Sequence, residues 1–119
     1  MATKKTKDVE PLVFVNGETG EEITIEFNRM IVLQMEKEGY SGERIASEID
    51  NAPISTVADL FYYGMLMHQP GTTKEEAYDF FFENVGVDEK IFSRLAELFT
   101  KPYEDMMTAQ RKNSLWTVK

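Results

Sequence analysis

Acid–base chemistry requires side chains whose pKa values are moved toward neutrality by burial, a neighbouring charge or a hydrogen bond, so the carboxylates and the histidine come first. Glu36, Glu38, Glu43, Glu48 and Asp50 crowd one stretch, and Asp79 and Glu83 stand four apart. The first group flanks predicted helices as caps and exposed faces, with no histidine or apolar pocket beside it. The second borders Phe80, Phe81 and Phe82 as the polar edge of an amphipathic helix. His68 falls at the end of a predicted helix, where a cationic ring favours the negative end of the dipole, and its spacing assigns it a capping or packing role. Ser41, Ser47, Ser55, Ser93 and Ser114 occur in no nucleophile-elbow context. No Gly-x-x-x-x-Gly-Lys loop is present, and Gly17, Gly20, Gly39, Gly42 and Gly64 are too scattered to cradle a phosphate. The chain has no cysteine and one histidine, which excludes thiolate ligands, disulfides and a multi-histidine metal site within one subunit. The sequence therefore indicates no catalytic residue, no metal site and no cofactor.

What remains is an apolar surplus rich in aromatic rings and thioethers: Phe61, Tyr62, Tyr63, Met65 and Met67 in one segment, Tyr78 and Phe80 to Phe82 in the next, Met106 and Met107 further on. Such side chains adapt to varied apolar partners. Most of them must form the core of so short a chain, and the remainder can form a partner-binding surface, for which Phe61, Tyr63, Met67, Phe81 and Met107 are the candidates.

Charge limits the class of partner. Acidic residues outnumber basic ones by 21 to 13, for a formal net charge of −8, which works against binding a phosphate backbone. Nucleic acid is therefore not expected as a partner. No apolar run is long enough to span a bilayer, and the start of the chain (Lys4, Lys5, Lys7, Asp8, Glu10) lacks the apolar core of a signal peptide, so a cytoplasmic location is expected without a membrane partner. At 119 residues, 42% apolar and 29% charged, the chain is suited to one folded domain.

The elements that must position these residues follow from periodicity and caps. A disordered leader, 1–10, precedes a globular domain, 11–108, and a mobile C-terminal tail, 109–119, follows it. Leu12 to Val15 is β-prone, and Ile23, Ile25 and Phe27 alternate with polar residues. Asn16-Gly17-Glu18-Thr19-Gly20 between them supplies the left-handed conformations of a turn, giving an N-terminal β-hairpin. Asn28 caps a helix starting at Arg29 and Gly39 ends it. Met30, Ile31, Val32, Leu33 and Met35 predict burial of that helix on more than one side. A short helix is expected over 42–50, stopped before Pro53. A central helix over 56–69 has Val57, Phe61, Met65 and His68 on one stripe, with Ala58, Tyr62 and Leu66 beside it. Thr73 and Glu76 form a capping box for a helix from Lys74 to Val85. Asp88 caps a last helix with an Ile91, Leu95, Leu98 and Phe99 stripe, and Pro102 predicts a kink or break near Lys101 before Tyr103, Met106 and Met107 resume the pattern. The expected fold is mainly α-helical (α+β), an N-terminal β-hairpin followed by a bundle of about four to five helices.

Ile25-Glu26-Phe27-Asn28-Arg29, Gln34-Met35-Glu36-Lys37-Glu38-Gly39-Tyr40, Leu60-Phe61-Tyr62, His68 and Leu95-Ala96-Glu97-Leu98-Phe99-Thr100-Lys101-Pro102-Tyr103 carry a family resemblance. In order and spacing, from about Leu12 to Met107, the chain resembles the small tail assembly chaperones of long-tailed phages and prophages of Gram-positive bacteria. The segment from Ser41 to Ala52 is longer than the family pattern. The resemblance implies a non-enzymatic protein that binds the tape measure protein, keeps it soluble and helps recruit major tail protein. It also implies self-association into a homo-oligomer, a longer frameshifted product in many such phages, and action in the host cell cytoplasm, outside the mature virion. A small regulatory adaptor of a phage or mobile element, binding a host protein, is the alternative from another class.

Overall fold

The computed structural model of the chain describes residues 10–108, 115, 116 and 119. Most of the expected leader and tail thus lies outside the described residues. Glu10 is tied down, its carbonyl accepting from Arg94 Nη2 at 2.8 Å, while Leu115 and Trp116 are exposed.

Asn16 turns the chain back on itself. Its Oδ1 accepts the amides of Glu18 (2.8 Å) and Thr19 (3.1 Å), and its own amide donates to the Glu21 carbonyl at 2.8 Å. Gly20 takes the left-handed φ of +80° that closes the turn, whereas Gly17 does not. The flanking strands, β1 (Leu12–Val15) and β2 (Glu22–Ile25), pair antiparallel with Leu12 opposite Ile25 and Val15 opposite Glu22. The alternation read in the sequence sends Ile25 into the core, and Phe27 joins it just beyond the strand.

Five α-helices follow: α1 (Arg29–Lys37), α2 (Gly42–Glu48), α3 (Pro53–Leu66), α4 (Lys74–Phe80) and α5 (Glu89–Met107). Side-chain caps start four of them: Asn28 Oδ1 accepts from Ile31, Ser41 Oγ from Arg44, Thr73 within its reciprocal box with Glu76, and Asp88 from Ile91. The α3 helix has no such cap and begins at Pro53, earlier than the residue pattern suggests, because a proline in the first turn gives up an amide that has no helical partner there. It ends at Leu66, short of the expected Gln69. Beyond α4 the chain widens into one π-helical turn, Phe81–Val85, closed by the Gly86 amide donating to the Phe81 carbonyl at 2.8 Å.

The α3 helix is the axis of the core. Residues Val57 to Phe61 and Tyr63 to Met65 are all buried, so α3 is enclosed on nearly every side, more widely than the stripe and its flank suggest. The hairpin lies against it through β2, while α4, α1, α2 and α5 also border it. Two expectations are corrected. On α1, Ile31, Val32 and Met35 face inward, but Met30 and Leu33 are exposed, so that helix buries one face only. On α5, Pro102 lies inside a helix that continues to Met107, so the chain does not break there. Its ring removes one helical hydrogen bond, while Leu95, Leu98 and Phe99 before it are buried and Tyr103 and Met106 after it pack against the same core.

Candidate functional site

A groove of about 610 Å³ runs between the end of α1, α2 and one face of α5. From α5 come Phe92, Ala96, Phe99, Tyr103 and Met107, spaced by three and four residues and so aligned on one face. The opposite wall is Ile45 and Ala46 of α2, with Leu60 of α3 behind. Gly42 sets the width: a β-carbon there would meet Tyr103 Cζ at 2.8 Å, so only glycine lets the phenol ring lie against the first turn of α2. Tyr103 stacks on Phe99 (centroids 5.3 Å apart, planes at 25°), and Phe99 meets Phe27 edge-on at 5.9 Å, which anchors the groove to the core. The charged lining residues, Glu36, Glu43 and Glu104, are all acidic. Exposed Leu33 and Met30 lie three and six residues before Glu36 on α1, extending apolar surface beyond the groove.

The sequence candidates are distributed unevenly around this feature. Phe61, Tyr63 and Phe81 are 0% exposed, so those rings belong to the core and present nothing to a partner. Phe61 packs against Phe81 at 4.9 Å and stacks with Phe80 at 6.1 Å. Met67 is half-buried against the core. Met107, 69% exposed, lines the groove and is the one candidate that the structure places there. Phe92, Ala96 and Tyr103 were not singled out as contact residues. They form a second stripe beside the core stripe of α5, and their spacing carries that signal.

Behind the groove lies a polar network centred on an acid that sequence reasoning passed over. Asp59 is 5% exposed in the middle of α3, and the hydroxyls of Tyr40 and Tyr78 both donate to its carboxylate. Tyr40 belongs to the loop after α1 and Tyr78 to α4, so one side chain ties three segments together. One turn further along α3, the Tyr63 hydroxyl donates to Glu38 Oε1 at 2.5 Å. The Arg44 guanidinium sits 4.5 Å from the Tyr40 ring centre, and Lys74 Nζ lies 5.3 Å from the Tyr40 ring and 5.8 Å from that of Tyr62. The available signal was a lone acid within the apolar run Val57 to Met65.

Burial, and then the bond to Asp59, push the Tyr40 phenol up to about 12. Burial raises Tyr63 and Tyr78 further, with Glu38 and Asp59 adding to the respective shifts, and burial also raises Tyr62. Glu38 is an exposed cap, as the sequence indicates, but the Tyr63 hydrogen bond holds its carboxyl below the ordinary value. The phenols of Tyr40, Tyr63 and Tyr78 keep their protons at neutral pH and donate them in hydrogen bonds that tie the segments together.

Between its ordinary value near 10 and about 12, folded Tyr40 retains a proton that the unfolded chain releases, so its contribution is full below pH 10 and lost as pH rises through about 12. Glu38 acts oppositely: its contribution is full above its unfolded value of 4.5 and lost as pH falls through the lower folded value. Tyrosinate absorbance and circular dichroism followed from neutral to alkaline pH will show delayed ionisation coinciding with loss of structure. Full tyrosine ionisation near pH 10 with the fold intact contradicts the network.

His68 Nε2 lies 2.7 Å from Glu26 Oε1, both partly exposed, so His68 joins the segment after α3 to the strand exit and does not cap a helix. An exposed pair of this kind contributes under about 1 kcal/mol. Among the described residues no group of three or more His, Cys, Asp or Glu side chains is gathered to hold a metal ion, and no helix is long and apolar enough to cross a membrane.

The class defined by this architecture is a small α+β domain, a helical bundle with an N-terminal hairpin, a buried tyrosine–carboxylate tie and an open, acid-rimmed apolar groove. The chain belongs to the family described as DUF5055, a domain of unknown function, whose model matches residues 1–119. Among curated proteins and solved structures, none matches it.

Proposed function

We propose that this chain is a non-enzymatic tail assembly chaperone that receives an apolar helical segment of the tape measure protein in the groove between α2 and α5. It keeps that client soluble in the host cytoplasm and helps recruit major tail protein. The groove carries the proposal: an aligned apolar stripe on α5, opposed by Ile45 and Ala46, with Met107 exposed at one end. A helix laid into such a groove buries its apolar face against flexible and aromatic side chains. The identity of the client rests on the resemblance to tail assembly chaperones. The non-enzymatic reading is supported by an Asp59 carboxylate already occupied by two phenol donors.

Co-expression with the cognate tape measure protein is expected to raise that protein's solubility, and the pair will co-purify in moderate salt through apolar contact. Ala96→Gln and Met107→Ser place polar groups in the groove and will weaken client binding roughly tenfold, equivalent to about 1.4 kcal/mol. Each will change stability by no more than about 0.5 kcal/mol. Phe82→Ser removes an exposed ring that does not line the groove and leaves binding unchanged. Groove variants that bind as well as the parent exclude this groove. A tape measure protein that stays insoluble, with no complex on gel filtration, replaces the chaperone reading with that of the regulatory adaptor.

A further inference from the structure

The rim of the groove between α2 and α5 carries more negative charge than the fold uses. Glu36, Glu43 and Glu104 line it, and all three are exposed. Glu43 stands in the first turn of α2, where the positive end of the helix dipole favours a carboxylate. Glu36 and Glu104 stand in the last turns of α1 and α5, at the negative ends, where their own helices disfavour them. The last turn of α5 has no basic residue to offset Glu104 and Asp105. Among the described residues the ion pairs join Glu26 to His68, Arg94 to Glu97 and Lys101 to Asp105, so no rim acid is paired.

The neighbouring cations are engaged elsewhere. Arg44 donates to the Gly39 carbonyl at 3.1 Å and lies over the Tyr40 ring. Lys101 lines a separate cavity with Pro11, Phe27 and Pro102, toward the hairpin. Lys37 is set roughly 100° round α1 from Glu36 and does not line the groove. The acids are also placed together. Glu43 follows Gly42, which abuts Tyr103, and Glu104 follows Tyr103, so both stand toward the Met107 end of the apolar stripe. From Phe92 to Met107 that stripe is roughly 22 Å long, matching a helix of about four turns.

On the reading that this groove receives a helix, we propose that it selects a basic amphipathic one. The apolar face of the client lies on the α5 stripe, and lysine or arginine side chains on its flank meet Glu43 and Glu104 near Met107, with Glu36 completing the rim. An acidic helix with the same apolar face is repelled, so charge makes a choice among clients that apolar contact cannot make. Exposed pairs are individually weak, and the rim therefore governs selection while the stripe supplies most of the affinity.

The test uses the full chain and synthetic helical peptides of about 18 residues. They share one leucine–alanine face, bordered by lysine, by glutamine or by glutamate, and are matched in helicity by circular dichroism. Calorimetric titration at low salt will show the lysine peptide binding roughly tenfold tighter than the glutamine peptide, with the glutamate peptide weakest. The differences will shrink at high salt while the glutamine peptide is little affected. Glu36→Gln, Glu43→Gln and Glu104→Gln together will abolish the preference and leave glutamine-peptide binding unchanged. Glu18→Gln, Glu75→Gln and Glu83→Gln alter net charge equally, line no part of the groove and will preserve it. Melting temperatures verify that both variants are folded. Equal binding of all the peptides overturns the proposal and leaves the groove reading standing, whereas binding of none overturns both. A preference lost equally in the two variants belongs to net charge and also overturns it. So do Ile45 and Ala46 NMR resonances that move on dilution of the chain alone, or in a full chain carrying Arg111→Gln and Lys112→Gln, since these assign the face to a second copy or to the chain's own end.

Discussion

Replacing Asp59 with Ala will lower the stability of the domain by about 2–5 kcal/mol, since each phenol donor left without its acceptor costs roughly 1–3 kcal/mol. Asp59 is almost fully buried and holds Tyr40 and Tyr78 at once, so its loss frees the loop after α1 and α4 from α3 together. Tyr40 and Tyr78 are only half-buried and can turn toward water, which keeps the loss below the sum of two fully buried orphans. Asp59→Asn keeps one acceptor oxygen and offers an amide to the second hydroxyl, and its expected cost is about 1–2 kcal/mol. Tyr40→Phe and Tyr78→Phe will each cost about 1–2 kcal/mol in the parent and markedly less once Asp59 is alanine, the coupling expected of groups in one network. The measurement is the denaturant midpoint at constant slope. An Asp59→Ala protein within about 0.5 kcal/mol of the parent would show that the carboxylate does not hold these helices together.

Gly64→Ala carries the second large effect, with a sign opposite to that of helix propensity. In an exposed helix, alanine is better than glycine by about 1 kcal/mol. Here a β-carbon would stand 2.4 Å from Ile25 Cγ2 and 3.2 Å from the Phe27 ring, and Ile25, at 0% exposure, has no free space to turn into. Relieving the overlap moves β2 away from α3 and strains the bond from the Glu26 amide to the Gly64 carbonyl and the clasp of Gln69 on Thr24. The net expectation is a loss of about 1–3 kcal/mol, typical of overpacking in a filled core. Ile25→Ala alone will cost about 2–5 kcal/mol through the cavity it leaves. The double variant will cost less than the sum, because the new methyl occupies part of the vacated space. An increase in unfolding midpoint for Gly64→Ala would mean that the hairpin does not lie this close to α3.

The groove and the hairpin depend on these two contacts in different ways. The groove borders Leu60, next to Asp59 on α3, so the buried network stands directly behind one of its lining residues. The hairpin depends on β2 staying seated on α3. Gly64→Ala is therefore expected to displace the hairpin as well as lower stability, whereas Ala96→Gln and Met107→Ser leave the hairpin untouched.

The local events follow from residue type and spacing alone. Asn28, Thr73 and Asp88 mark helix starts, Gly39 and Gly86 mark helix ends with positive φ, and Asn16 with Gly20 marks the turn. Each is decided within a few residues by the bonding of free backbone amides or by glycine's tolerance of left-handed backbone, so residue type and spacing suffice. Which apolar residues stay exposed depends on how distant segments pack. Phe61, Tyr63 and Phe81 resemble Met107 in composition, yet their exposure depends on which helices surround α3, and periodicity cannot register a helix enclosed on nearly all sides. Packing also decided that Asp59 meets Tyr40 and Tyr78, each 19 positions away, and that Gln69 closes one edge of a hairpin 45 residues earlier in the chain. Such pairings arise from the packing of distant segments, which local pattern does not encode, and so the groove, the buried tie and the clasped hairpin became visible only in three dimensions.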